Sequence, residues 1–133
     1  MESSAHYKIF LIDDDTFLLN MYTLKFSKSG FEVTTAQHGI DVIKKLKDGF
    51  VPDIMLLDII MPGIDGLDLL EEIRKEKLIP DTVVIMLTNQ SDTTDIEKAK
   101  SLGVSGYIVK ATTVPSEVIQ EVLEIYNKNN KTH

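Results

Sequence analysis

The chain has 133 residues, 43% of them hydrophobic and 26% charged, the composition of one ordinary soluble domain with a single core. Its net charge of −7 argues against direct nucleic acid binding, which needs a basic face, and suits cations or basic partner surfaces. With no cysteine, no apolar run near the roughly 18 residues of a membrane span and no secretory pattern in Met1 to His6, neither disulfide chemistry, membrane insertion nor export is expected.

Lys8 to Ile12 reads as a first buried strand, ending in Asp13-Asp14-Asp15. Thr16 to Ser29 follows as a helix with Phe17, Leu18, Met21, Tyr22, Leu24 and Phe26 in a broad apolar stripe, and Gly30 stops it. Phe31 to Ala36 alternates and is rich in strand formers, as suits a more exposed edge strand. Gly39 to Lys47 is the next helix, with Ile40, Ile43 and Leu46 predicted inward.

Ile54-Met55-Leu56-Leu57 is a short apolar run that reads as a strand buried on both faces, and Asp58 closes it. Ligands bind at that end of open α/β sheets, so Asp58 is either a site residue or a cap for the next loop. Met61-Pro62-Gly63 reads as a turn. Asp65-Gly66 opens a third helix with Leu67, Leu70 and Ile73 on one face, and Pro80 prevents its continuation. Thr82 to Thr88 is the most β-prone run in the chain.

A fourth helix is expected from Asp92 or Thr94 to Gly103, with Thr94-Asp95-Ile96-Glu97 as a capping box and Ile96, Ala99 and Leu102 inward. Gly106 to Lys110 is a fifth strand. Pro115 introduces a last helix with Val118, Val122, Ile125 and Tyr126 on one side. Alternating strands and helices predict a parallel sheet covered on both faces. One domain over residues 1–133 is expected, folded from about 7 to 126, with a polar tail from Asn127 to His133 that frays.

The polar residues at the strand ends would open onto one edge: Asp13 and Asp14, Asp58, Thr88 and Lys110. Neighbouring carboxylates repel by several kcal/mol per close pair at an effective dielectric of about 20, so a cation is expected among them. Mg²⁺ fits an all-oxygen donor set; a zinc site would want His or Cys, and His6, His38 and His133 are scattered. Carboxylates, Mg²⁺, hydroxyl and ammonium are the parts for moving a phosphoryl group, with Asp58 as a candidate nucleophile. Asp15 and Thr16 read instead as residues of the helix N-terminus.

In these features the chain resembles the receiver domain of two-component response regulators, of the chemotaxis-regulator type. The resemblance runs from Lys8 to about Tyr126. It rests on Ile12-Asp13-Asp14, Leu57-Asp58-Ile59-Ile60-Met61-Pro62-Gly63-Ile64-Asp65-Gly66, Thr88 and Gly106-Tyr107-Ile108-Val109-Lys110, in this order and spacing. It implies a flavodoxin-like (βα)5 fold with strand order 2-1-3-4-5.

It further implies that Asp58 accepts a phosphoryl group from a phosphohistidine on a sensor histidine kinase or histidine phosphotransfer protein. Asp14, Asp58 and the Ile60 backbone carbonyl would ligate Mg²⁺, with Asp13 acting through water. Thr88 and Lys110 would bind phosphoryl oxygens, and Tyr107 would swing inward with Thr88 as a switch, Tyr107 being equally readable as a static packed aromatic. The output implied is a population shift in the surface of the fourth helix, fifth strand and fifth helix that alters binding of a downstream target, with a phosphorylation-dependent homodimer also admitted. The implied protein is a cytoplasmic phosphoacceptor regulator rather than a classical enzyme, able to catalyse its own phosphorylation and dephosphorylation.

Two positions depart from the family pattern. Ala111 follows Lys110 where the family usually has a proline after a cis bond; a cis non-proline bond costs roughly 2.5 to 4 kcal/mol, so trans is predicted here. Asn89 follows Thr88 where the family usually has a small residue, and it is expected to screen Asp58 or bond to the phosphoryl group. Ile60 and Gln90 offer no acidic group to orient water. Two rivals stay open. One is a small Mg²⁺-dependent phosphatase of the haloacid-dehalogenase type, whose signature Asp13-Asp14-Asp15-Thr16-Phe17 misses at Phe17. The other is a pseudo-receiver that binds partners without the reaction.

Overall fold

The computed structural model describes residues 6–59, 61, 63–88, 93–110 and 114–130. Within them the elements are β1 (Lys8–Ile12), α1 (Thr16–Lys28), β2 (Glu32–Ala36), α2 (Gly39–Lys47), β3 (Ile54–Asp58), α3 (Gly66–Lys75), β4 (Val83–Thr88), α4 (Thr93–Ser101), β5 (Gly106–Val109) and α5 (Pro115–Asn130). All neighbouring strands pair in parallel, in the order β2-β1-β3-β4-β5, as the resemblance implies. β3 and β4 are buried along their whole length, and β1 everywhere after Lys8. Unbroken apolar runs are what a sheet covered on both faces requires. β2 sits at the edge with Ala36 as its one buried residue, in keeping with its alternating sequence.

Strand alternation divides the core into two layers. Ile9, Leu11, Ile54, Leu56, Ile85, Leu87 and Ile108 meet Leu19, Tyr22 and Phe26 of α1 and Val118 and Val122 of α5. On the other face Phe10, Ile12, Met55, Leu57, Val84 and Met86 meet α2, α3 and Ala99 of α4. Helix ends follow their residues. Asp15 caps α1 by accepting from Leu18 N at 3.1 Å, and Asp65 caps α3 by accepting from Asp68 N at 2.8 Å. Gly30, at φ 97°, takes the left-handed turn after α1 that a side chain would resist.

Several elements differ from expectation. In α2 the buried stripe is Gly39, Val42 and Leu46, and Ile40 is 78% exposed. The cause is a close approach: a Cβ on Gly39 would lie 2.5 Å from Ile64 Cγ2, so the helix rests its glycine on the β3–α3 loop and turns Ile40 outward. In α1 the apolar residues exceed what one face can bury, and Phe17 and Leu24 face solvent. α4 begins at Thr93, one residue before the expected cap Thr94; Asp92 and the side chains of Thr93 and Thr94 lie outside the described residues. β5 ends at Val109, one residue before Lys110. α5 continues to Asn130, past the fraying expected from Asn127, and Asn129 Nδ2 donates to Ile125 O at 2.8 Å.

Candidate active site at the carboxyl edge of the sheet

Three strands deliver charged side chains to one edge and one face. Asp13 follows β1 directly, and its N–H donates to Ala36 O at 3.2 Å, which fixes its backbone against β2. Asp58 is the last residue of β3, in register with Leu87 of β4. Alternation carries the face of Leu11, Leu56 and Ile108 on to Asp13, Asp58 and Lys110. Contact confirms it: Lys110 Nζ lies 2.9 Å from Asp13 Oδ2 and 3.3 Å from Asp58 Oδ2, although 97 residues separate Lys110 from Asp13. These side chains are 9%, 4% and 6% exposed, so the pairs are sheltered from solvent screening. Burial pulls the Lys110 pKa down, and the Asp13 hydrogen bond with the charges of Asp58 and Asp13 outweighs it, leaving the ammonium above its ordinary value.

Asp13 Oδ1 accepts from Asp15 N at 2.9 Å, so both Asp13 oxygens are engaged. Asp14 stands half-buried beside them. Asp13, Asp14 and Asp58 each offer a carboxylate oxygen within 4.8 Å of the others. Against these three carboxylates the structure sets the Lys110 ammonium, which meets Asp13 and Asp58. A like-charged pair about 4 Å apart repels by roughly 4 kcal/mol at an effective dielectric near 20. An all-oxygen donor set of three carboxylates fits Mg²⁺.

Thr88 is buried at the end of β4, one residue beyond the register partner of Asp58. Tyr107 pairs with Met86 in register and is 38% exposed, with its side chain turned outward. The Ile60 carbonyl, Asn89, Gln90 and the Lys110–Ala111 peptide lie outside the described residues. Gly66 is a residue whose part in the site the sequence reading missed. Its N–H donates to Ile59 O at 2.6 Å, and a Cβ there would strike the Asp58 carbonyl and lie 2.9 Å from Ile59 Cα. The close return of α3 onto the Asp58 backbone therefore requires glycine. A glycine opening an otherwise ordinary helix was the available signal.

The family model for the response regulator receiver domain matches residues 9–123. The chain belongs to that family. Receivers are the phosphoacceptor signalling domains of two-component systems, and the fold and acid cluster described above are those the resemblance implied. The chain is 31% identical over 124 residues to the probable transcriptional regulator ycf27 of Guillardia theta, covering 93% of this chain and 47% of that protein. It is 29% identical over 119 residues to the chemotaxis protein CheY1 of Helicobacter pylori, covering 89% and 94%. A CheY-like receiver domain structure from Methanospirillum hungatei superposes with a TM-score of 0.85 at 25% identity, covering 97% of this receiver and 100% of that chain. The receiver spans about half the length of several curated relatives it matches. No helix among the described residues is long and apolar enough to cross a membrane.

Proposed function

We propose that Asp58 is the phosphoacceptor of this receiver and takes a phosphoryl group from a phosphohistidine on a sensor histidine kinase or histidine phosphotransfer protein. The observation that carries this reading is the cluster itself, three carboxylates within 4.8 Å with Lys110 bridging Asp13 and Asp58. An Asp58 carboxylate oxygen attacks phosphorus, the P–N bond breaks, and the imidazole nitrogen leaves with the electron pair. Lys110 turns from the carboxylates to a phosphoryl oxygen, and Thr88 donates its hydroxyl hydrogen to another. Asp14 and Asp58 would hold Mg²⁺ directly and Asp13 through water, since both Asp13 oxygens already accept hydrogen bonds. Bound there, Mg²⁺ supplies positive charge against the charge that develops on the phosphoryl oxygens.

The same residues let the receiver catalyse its own phosphorylation from a small phosphodonor. The output is a population shift in the face of α4, β5 and α5 that changes affinity for a downstream target or a second copy. Tyr107, exposed on that face, is the residue to follow as Thr88 engages the phosphoryl group. A cytoplasmic setting suits a cysteine-free acidic domain that meets a kinase. The phosphatase reading would need Asp15 at the reacting group, yet its carboxylate accepts from Leu18 N as the cap of α1.

Incubation with acetyl phosphate and Mg²⁺, followed by intact-mass measurement, tests the reading. The parent is expected to gain one phosphoryl group and Asp58→Asn none. Labelling of neither protein would leave a binding module without the reaction, and multiple turnover of phosphate esters would favour the phosphatase.

A further inference from the structure

Tyr22 is buried, 4% exposed in a stripe of α1 otherwise made of Leu19 and Phe26, and lies within electrostatic reach of Asp13, Asp58 and Lys110. Its hydroxyl has no hydrogen-bond partner among the described residues. A buried phenol without one is uncommon, because desolvating the hydroxyl costs on the order of 1–3 kcal/mol. Two features aim it at the site. Tyr22 belongs to the core layer of Leu11, Leu56 and Ile108, and that face continues at the next inward position to Asp13, Asp58 and Lys110. Helical side chains also lean toward their helix N-terminus, and α1 starts at Thr16, just after the acids, so the long phenol points back toward the carboxyl edge. The charges agree: burial raises the phenol pKa, Lys110 lowers it, and Asp13 and Asp58 raise it again, so all three act on this hydroxyl.

An ammonium has three donors, and in this structure Lys110 directs two of them to Asp13 and Asp58. When Asp58 carries a phosphoryl group, as proposed above and on which this inference rests, the phosphoryl oxygens compete with Asp13 for the Lys110 ammonium. We infer that Tyr22 is a positioning residue for the phosphorylation reaction: its phenol oxygen accepts a hydrogen bond from Lys110 Nζ as the lysine leaves Asp13, holding the ammonium in line with the phosphoryl oxygen. The unpartnered hydroxyl thereby gains its partner in the reacting state, and the energy of that bond goes to the transition state rather than the resting protein.

The experiment compares initial rates of acetyl-phosphate labelling in the parent, Tyr22→Phe, Lys110→Met and the double variant, with Asp58→Asn as the blank. Phenylalanine keeps the ring and removes only the oxygen, which costs energy to bury without a partner, so the urea unfolding midpoint of Tyr22→Phe is expected to lie at or above the parent's. Its labelling rate is expected to fall about tenfold, the loss of one hydrogen bond to a charged group. In the Lys110→Met background the same change is expected to alter the rate by less than about twofold, which a packing defect would not do. Equal rates in the parent and Tyr22→Phe, or the same fold loss with and without Lys110, overturn the inference and leave the phosphoacceptor reading standing. No Asp58-dependent labelling in the parent overturns both.

Discussion

The two edges of the sheet handle polar groups in opposite ways. At the amino edge polar groups pair within the fold: Lys8 N donates to Asp53 Oδ2 at 2.8 Å, and buried Thr82 donates from Oγ1 to Pro52 O at 2.7 Å. Tyr7 closes that end, its ring 4.5 Å from Tyr126 and 6.1 Å from Phe31. At the carboxyl edge three carboxylates crowd around one lysine. The amino edge is arranged for stability, whereas the carboxyl edge holds repulsion that folding alone would not favour. Like charges gathered on a rigid frame are the mark of a functional site.

The largest effect expected from breaking this contrast is at Asp58. Asp58→Asn abolishes labelling by acetyl phosphate, read by intact mass, while the protein stays folded by circular dichroism. Next is Gly66→Ala, whose methyl group would collide with the Asp58 and Ile59 backbone. A loss of about 3 kcal/mol in urea unfolding is expected, with weaker labelling because the acceptor strand end must move. Gly66→Ala of parental stability would contradict the close return of α3.

Asp14→Asn sharpens the comparison in the opposite direction. Removing one of three crowded charges is expected to stabilise the Mg²⁺-free protein by about 1 kcal/mol and to abolish the rise in unfolding temperature that Mg²⁺ gives the parent. A destabilised Asp14→Asn would mean the cluster is not repulsive. The smallest effect belongs to the amino edge: Thr82→Val loses one buried hydrogen bond, about 1 kcal/mol of stability, and leaves the labelling rate unchanged.

Much of this architecture was legible in the chain. Ile54 to Leu57 and Val83 to Leu87 are apolar without alternation, which only a sheet covered on both sides accommodates, and the structure buries them completely. Asp13, Asp14, Asp58, Thr88 and Lys110 were legible as strand-end residues because parallel topology sends every carboxyl end to one edge. Helix faces were less so. Ile40, Ile43 and Leu46 make as regular a stripe as Gly39, Val42 and Leu46, and periodicity could not choose between them. The contact of Gly39 with Ile64 chose, and it involves a loop far along the chain.

The sequence by itself determined the order of elements, the parallel sheet and the kinds of group at its edge, because apolar period and residue chemistry are local properties. Only the tertiary structure decided that Lys110 meets Asp13 and Asp58, that Gly66 must lack a side chain, and that Tyr22 of α1 comes within electrostatic reach of the acids. Those depend on distances between segments tens of residues apart, and only side-chain packing across the sheet sets them.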